Sequence, residues 1–146
     1  MQRFKLIPAV HLFFVQEGQV LLLRRANTGY EDGNYSVVAG HLDGYESVIQ
    51  AAIREAREEA GVEIDPADVQ MVGVMHRLSN DERVDFFVEI VRWTGEIWNR
   101  EPNKCDDLRW FAWDALPDNL IPYVRRALDN YRQGRWFDSV GFEQVE

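Results

Sequence analysis

Cysteine is almost absent from this chain, because Cys105 is the only one among 146 residues. An intramolecular disulfide is therefore excluded, and a reduced, cytoplasmic setting is the simplest expectation. We interpret Cys105 as an ordinary small side chain, since nothing near it in the sequence marks it as a nucleophile. Long apolar runs are also missing. The run Leu6–Val15 is interrupted by Pro8 and His11, falls short of the ~20 residues of a membrane span, and follows no signal-peptide pattern.

Basic residues are outnumbered, with 16 Lys and Arg against 25 Asp and Glu, for a formal net charge of −9. This balance argues against binding to long nucleic acids or anionic membranes, which require a basic face. A phosphate substrate is still compatible, because a bound metal and local arginines can invert the sign within a cleft. The chain also lacks internal repeats and low-complexity segments. We therefore expect a single domain over residues 1–146, with the aromatic tail 134–146 packed on it.

The order of predicted elements indicates an α/β fold with a mixed sheet between helices. A strand at Leu6–Val15 and a turn at Glu17–Gln19 predict a hairpin with Val20–Arg25. An amphipathic helix is expected to begin with an Asp43–Glu46 capping box and to end at Gly61. The remaining predicted elements are strands at Tyr35–Ala39, Val69–Met75, Val84–Trp93 and Leu108–Trp113 and a helix at Asn119–Tyr131, with Pro122 in its first turn.

Three carboxylates lie within five residues of the first predicted helix: Glu55, Glu58 and Glu59. At about 100° per residue they share one arc of the helix, beside the apolar stripe that faces the core. Like charges so close together repel one another and raise each other's pKa. A solvated helix face would normally interleave lysines, so the cluster favours a hard divalent cation as its partner.

The segment Gly40–Val62 resembles the Nudix box, whose pattern is Gly, five residues, Glu, seven residues, Arg-Glu, an aliphatic residue, any residue, Glu-Glu, any residue, Gly and an aliphatic residue. Every fixed position matches, namely Gly40, Glu46, Arg54, Glu55, Glu58, Glu59 and Gly61. The one departure is Ala56, where a larger aliphatic residue is usual, and it concerns packing rather than ligands.

The resemblance implies an α/β/α sandwich and the Mg²⁺- or Mn²⁺-dependent hydrolysis of a nucleoside diphosphate linked to another group. It assigns the metal to the Gly40 carbonyl, Glu55, Glu58 and Glu59. Arg54 is expected to orient Glu58 from one helical turn away, and Glu46 to fix the loop. Glu55 is our first choice for the general base.

A distant carboxylate is the other candidate for the base and for the metal. Asp107 is preferred because it directly precedes a predicted strand, while Glu101 and Asp106 stay open. Arg24 or Arg25 at a strand end, and His41 in the glycine-rich loop, are candidates for phosphate contacts. Tyr123 is the candidate for stacking on a base.

Several substrates fit such a site. A nucleoside triphosphate, cleaved to a monophosphate and pyrophosphate as in nucleotide-pool sanitation, is favoured. Subgroups that act on ADP-ribose often carry a proline about sixteen residues beyond the box, where this chain has Arg77 and Leu78, and the tyrosine of dinucleoside polyphosphate hydrolases is also missing. Nucleotide sugars, RNA cap removal and a non-catalytic nucleotide sensor are the alternatives, for a monomer or a homodimer.

Overall fold

The computed structural model describes residues 1–143, which form eight β-strands and two α-helices. The strands are β1 Ile7–Gln16, β2 Gln19–Arg25, β3 Tyr35–Ser36, β4 Val38–His41, β5 Val69–Leu78, β6 Glu82–Ile90, β7 Cys105–Ala112 and β8 Phe137–Val140. The helices are α1 Val48–Glu55 and α2 Pro122–Gln133, and a π-helical turn, Ala56–Ala60, continues α1. The last three residues of the predicted tail, 144–146, lie outside the described part of the chain.

Strand β1 organises the sheet. Its last residues pair antiparallel with β2, with Val15 opposite Val20, which confirms the predicted hairpin. Its earlier residues lie between β4, which is antiparallel to it, and β6, which is parallel. The strand order is β3-β2-β1-β6-β5-β8, with β4 also paired to β1 and β7 also paired to β2. The sheet is therefore mixed, as predicted.

Alternation along β1 directs side chains into two cores, because successive residues of a strand point to opposite faces. One core joins Val10, Leu12 and Phe14 to the helix α1 side, where the buried alanines Ala51, Ala52, Ala56 and Ala60 allow close packing on the sheet. The other core joins Phe13 to α2 through Val124, Ala127 and Leu128. Helices thus cover both faces, and the α/β/α sandwich is confirmed.

Helix α1 starts later than the sequence suggests. Its N-cap is Ser47, whose Oγ accepts from the Gln50 backbone N–H at 3.1 Å, while the Gln50 side chain accepts from the Ser47 N–H at 2.7 Å. The predicted Asp43–Glu46 capping box is therefore wrong, although Glu46 does accept from the Asp43 backbone N–H at 2.9 Å. The helical segment ends at Gly61, as predicted, in the left-handed conformation with φ of 69°.

The C-terminal residues add an edge strand. β8 runs parallel to β5, with Val74 opposite Phe137, and it brings Asp138 against α2. The Asp138 carboxylate is 3% exposed and accepts from the Arg126 guanidinium at 2.6 and 2.9 Å and from Asn130 at 2.9 Å. No helix of residues 1–143 has the length and apolar character needed to cross a membrane.

Candidate active site

Strand β4 and the last turn of α1 meet at Gly40. A Cβ built at this position would lie 2.6 Å from one carboxylate oxygen of Glu55 and nearer still to its other carboxyl atoms. Only a residue without a side chain permits this approach, which explains why glycine precedes the glutamate-bearing helix. Gly40 and Glu55 therefore lie side by side, as the predicted metal site requires.

Arg54 holds the acidic residues of this region together. Its guanidinium donates to Glu46 at 2.7 Å, to Glu55 at 2.7 Å and to Glu58 at 3.3 Å. It also donates to the carbonyl oxygen of His41 at 3.0 Å, which ties the end of β4 to the helix. The predicted orientation of Glu58 by Arg54 is present, and Arg54 orients Glu55 as well. One arginine thus serves several carboxylates, and the region stays negatively charged.

Glu59 follows on the π-helical turn and is partly buried. Its Oε1 accepts from the Ala39 backbone N–H at 3.3 Å. Burial raises the pKa of Glu59 well above its usual value, and the nearby charges of Glu55 and Glu101 raise it further. Burial also raises the pKa of Glu55, although the hydrogen bond from Arg54 opposes this effect. Two carboxyl groups are therefore held in a poorly solvated place where added positive charge would stabilise their ionised forms.

A cavity of about 740 Å³ opens beside these carboxylates. On the helix α1 side it is bordered by Gly40, Glu55, Glu58 and Glu59, and on the helix α2 side by Tyr123. Small and apolar side chains also line it, namely Ala9, Leu23 and Ala39 of the sheet and Val37 between β3 and β4. A cavity of this size accommodates a nucleotide-sized ligand.

Three of the four residues predicted to bind substrate border this cavity: Arg25, His41 and Tyr123. Arg25 donates to the Tyr30 carbonyl at 2.7 Å and to the Thr28 hydroxyl at 3.0 Å, so both of these partners are uncharged. The fourth, Arg24, is absent from the lining and donates to Asp106 at 2.7 Å instead. Neighbouring residues of a strand point to opposite faces, which explains why only one of the two arginines borders the cavity.

Asp107 is not where the metal prediction needs it. It accepts from the Tyr35 hydroxyl and from Arg109 Nε, the latter at 2.9 Å, and it lies outside the cavity lining. Strand β7 already begins at Cys105, so Asp107 belongs to the strand rather than to a loop that faces the helix. These contacts do not support Asp107 as a metal ligand.

Among the three distant carboxylates considered from the sequence, Glu101 borders the cavity, whereas Asp106 and Asp107 do not. It belongs to a loop that docks on the end of the glutamate-bearing segment, where the Trp98 N–H donates to the Ala60 carbonyl at 3.1 Å. Trp98 also packs against Gly61, because a Cβ at Gly61 would collide with its indole ring. Glu101 was left open by the sequence, and its charge raises the pKa of Glu59, which marks the two as neighbours.

Four polar side chains at the α2 side of the cavity form a cluster that was not predicted from the sequence. Arg77 donates to Asp85 at 2.7 and 3.3 Å, and its guanidinium lies 3.7 Å from the centroid of the Tyr123 ring. His11 Nε2 lies 3.1 Å from the Tyr123 hydroxyl. Burial lowers the pKa of His11 to about 4, so its imidazole is neutral at pH 7. The sequence does contain a sign of this cluster, since polar residues within apolar strands are buried and therefore need hydrogen-bond partners.

The donor set suits a hard divalent cation, because it combines carboxylates with the backbone beside Gly40. Within residues 1–143, no three acidic, histidine or cysteine side chains converge closely enough to form a ready cage. Glu55 and Glu58 instead point to Arg54, and Glu59 to the Ala39 N–H. The carboxylate donors are thus neighbours on one helical segment, and their side chains face different partners.

Comparisons with known proteins agree with this geometry. The chain is 34% identical over 114 residues to the NAD-capped RNA hydrolase NudC of Pseudomonas aeruginosa, a match that covers 77% of this chain and 38% of that protein. It is 30% identical over 101 residues to the putative 8-oxo-dGTP diphosphatase 3 of Mycobacterium tuberculosis, which covers 68% of this chain and 46% of that protein. The chain therefore spans less than half the length of these two relatives.

Among solved structures, the MutT NUDIX hydrolase of Burkholderia pseudomallei superimposes with a TM-score of 0.79 at 26% sequence identity. That match covers 86% of this chain and 98% of the other. The family model for the NUDIX domain matches residues 5–133, which include the box, strands β1 to β7 and both helices. The chain belongs to the NUDIX family.

Proposed function

We propose that this protein is a metal-dependent hydrolase of the pyrophosphate bond in nucleoside diphosphates linked to a further group. The observation that carries the proposal is the close placement of Gly40 and the buried Glu55 carboxyl at the wall of a nucleotide-sized cavity. Glu58 and Glu59 follow on the same helical segment and border the same cavity. Arg25 supplies positive charge within that lining for the phosphates.

The residues divide the work between binding and proton transfer. Glu58, Glu59 and the Gly40 carbonyl would hold Mg²⁺ or Mn²⁺, and Glu55 contributes to the same negative cluster. A divalent ion held there would supply charge neutralisation of the phosphate oxygens and activation of a water molecule. Glu55 accepts the proton of the attacking water at its carboxylate, since its raised pKa brings it nearer to neutral pH. Arg54 keeps Glu55 and Glu58 in place, and Glu46 anchors Arg54.

Glu101 replaces Asp107 as the distant carboxylate in this proposal. It borders the cavity from the loop that docks on the glutamate-bearing segment, whereas Asp107 is held by Tyr35 and Arg109. Glu101 assists in holding the metal and substrate. Replacement of Glu101 by Gln should therefore lower turnover, while the same change at Asp107 should affect it less.

The preferred substrate is a nucleoside triphosphate, cleaved to the monophosphate and pyrophosphate. The relative named as an 8-oxo-dGTP diphosphatase supports this assignment and the role in cleaning the nucleotide pool. A single cavity that joins carboxylates, arginines and an aromatic end suits one nucleotide with its phosphate chain.

A second candidate substrate is the dinucleotide end of NAD-capped RNA, or a small pyrophosphate compound such as NAD or ADP-ribose. The relatives named as NAD-capped RNA hydrolases favour it. The formal charge of −9 provides little attraction for the RNA body, so the recognised part would be the dinucleotide. A non-catalytic sensor is the third alternative, and it is disfavoured because all the acidic residues of the box are present.

A screen of the purified protein with Mg²⁺ or Mn²⁺ tests the proposal, with nucleoside triphosphates, NAD, ADP-ribose, nucleotide sugars and dinucleoside polyphosphates as substrates. Glu58→Gln should lower kcat at least 100-fold while the protein stays folded, since the Glu58 side chain is 51% exposed. Glu63→Gln is the matched control, because Glu63 pairs with Arg57 outside the cavity lining. A wild-type protein that turns over none of these compounds would refute the hydrolase assignment.

A further inference from the structure

Arg77 is fixed by contacts on one edge and on one face of its guanidinium group. Its guanidinium forms two hydrogen bonds with Asp85, and the residues are 6% and 0% exposed. The Tyr123 ring covers one face of the guanidinium at 3.7 Å. Nη1 takes no part in the pair with Asp85, and Arg77 borders the cavity.

The charge of Arg77 is already balanced. Asp85 neutralises it inside the protein, so an additional phosphate would meet a pair whose net charge is zero. Arg25 differs, since its hydrogen bonds go to the Tyr30 carbonyl and the Thr28 hydroxyl, and it forms no salt bridge within residues 1–143. A phosphate is thus expected beside Arg25, and a neutral planar group beside Arg77.

The ring of Tyr123 is fixed from its other end. His11 Nε2 lies 3.1 Å from the Tyr123 hydroxyl, and the two rings meet edge to face with centroids 5.7 Å apart. Direct stacking of a ligand on Tyr123, as the sequence suggested, is therefore hindered on the face that Arg77 already covers.

This cluster borders the same cavity as the carboxylates but is built from other elements. Its members belong to β1, β5, β6 and the start of α2, whereas Glu55, Glu58 and Glu59 belong to α1 and the π-helical turn that continues it. A nucleotide whose phosphates lie at the carboxylates would direct its base to this side. Leu23 and Val37 in the same lining provide an apolar wall for such a group.

We propose that Arg77, pinned by Asp85 and backed by Tyr123, is the specificity-determining residue that stacks on the heterocyclic base of the substrate. The proposal rests on the proposed function, since it concerns the same cavity and names the part of the substrate that the cavity selects. Stacking on a guanidinium uses the π-face that every base has, so the subsite distinguishes nucleotides from base-free polyphosphates.

Binding to nucleotides and to a base-free anion separates the two kinds of contact. Calorimetric titrations with Mg²⁺ would use α,β-methylene nucleoside triphosphates of the four common bases and inorganic tripolyphosphate. Arg77→Lys keeps the charge beside Asp85 but removes the planar group. It should weaken nucleotide binding about 10- to 100-fold and leave tripolyphosphate binding within about twofold of wild type. Equal losses for both ligands, or no loss for either, would overturn the proposal.

Control variants keep the test decisive even if Arg77→Lys folds poorly. Tyr123→Phe retains the ring behind the guanidinium and should bind nucleotides nearly as wild type does, whereas Tyr123→Leu should weaken them selectively. Arg25→Ala should weaken nucleotides and tripolyphosphate alike. The proposal would be refuted if Tyr123→Phe selectively weakened nucleotide binding while Tyr123→Leu bound nucleotides as tightly as the wild type.

The two proposals fail in different ways. A wild-type protein that binds the nucleotide analogues with the predicted Arg77 dependence but hydrolyses no substrate would refute the hydrolase assignment alone. A wild-type protein that hydrolyses its substrate with no dependence on Arg77 would refute the base subsite alone. Failure of the wild-type protein to bind any of the four analogues would also overturn the subsite.

Discussion

Replacing Gly40 with alanine should strongly lower the rate of catalysis while changing the stability of the fold only slightly. The added Cβ would lie 2.6 Å from one Glu55 oxygen, whereas ordinary contact begins at 3.4 Å, so this oxygen must move by at least 0.8 Å. The backbone of Gly40 lies outside the left-handed region, and alanine therefore adopts its conformation without strain. The only obstacle is the far end of the Glu55 side chain, which rotates away.

The consequence for the reaction is large because the displaced group is the proposed base. A misplacement near 1 Å at a reacting group lowers the rate about 100-fold, which corresponds to about 2.7 kcal/mol of barrier. The free energy of unfolding should change by no more than about 1 kcal/mol, since the lost bond to Arg54 is offset by better solvation of a carboxyl whose burial is unfavourable. For a chain of this size that equals about 3 °C in Tm.

The assay compares kcat and Tm of Gly40→Ala with those of the wild type on the substrate found by screening. Gly73→Ala is the matched control, because a Cβ there would meet its nearest neighbour, the Trp136 carbonyl, at 3.4 Å. It should retain wild-type turnover. Turnover of Gly40→Ala within about threefold of wild type would show that the Glu55 position is not critical and would refute the reasoning.

Two further predictions concern stability. Because burial lowers the pKa of His11 to about 4 in the folded protein, only the unfolded chain takes up a proton between pH 6.5 and 4, and stability falls by about 3 kcal/mol over that window. Urea unfolding at several pH values in this range should show that the free energy of unfolding of His11→Gln falls less with decreasing pH than that of the wild type. An equal fall in both proteins would contradict the assignment. Asp138→Asn should destabilise the protein by about 1–3 kcal/mol, since it weakens the charge-assisted bonds from Arg126, and it should leave kcat unchanged. A variant as stable as the wild type in thermal melts would refute this role.

The fold was largely accessible from the sequence because its signals are local. The alternation of Val10, Leu12 and Phe14 with Phe13 marks a strand buried on both faces. The second helix was predicted at Asn119–Tyr131, whereas α2 begins at Pro122 and ends at Gln133. Strand ends were less predictable, since β5 extends to Leu78 and β7 starts at Cys105 through pairing with other strands. Such pairing is a long-range interaction that no short window of sequence contains.

The helix cap illustrates competition between similar signals. Asp43 with Glu46 and Ser47 with Gln50 have the same spacing, and both pairs precede the apolar stripe. Ser47 forms the cap because the loop before it is drawn to Arg54, which engages Glu46. The π-helical turn that carries Glu58 and Glu59 was also unforeseen, since the prediction assumed regular α-helical spacing.

The box residues were predictable because a single helix and its loop bring them together. Asp107 and Glu101 differ in this respect, since their orientation depends on how β7 pairs with β2 and on how Trp98 docks at Gly61. The Arg77–Asp85 pair was hidden for the same reason. Its two residues lie on adjacent strands, and only the register of β5 against β6 brings them together.

Divalent cation binding tests the central claim most directly, because it does not depend on knowing the substrate. Titration of Mn²⁺ followed by electron paramagnetic resonance of the free ion would compare wild type, Glu58→Gln and the control Glu63→Gln. The account predicts that Glu58→Gln weakens Mn²⁺ binding at least tenfold, that Glu63→Gln matches wild type, and that a nucleotide analogue tightens binding to wild type. Equal Mn²⁺ affinity in all three proteins would contradict it.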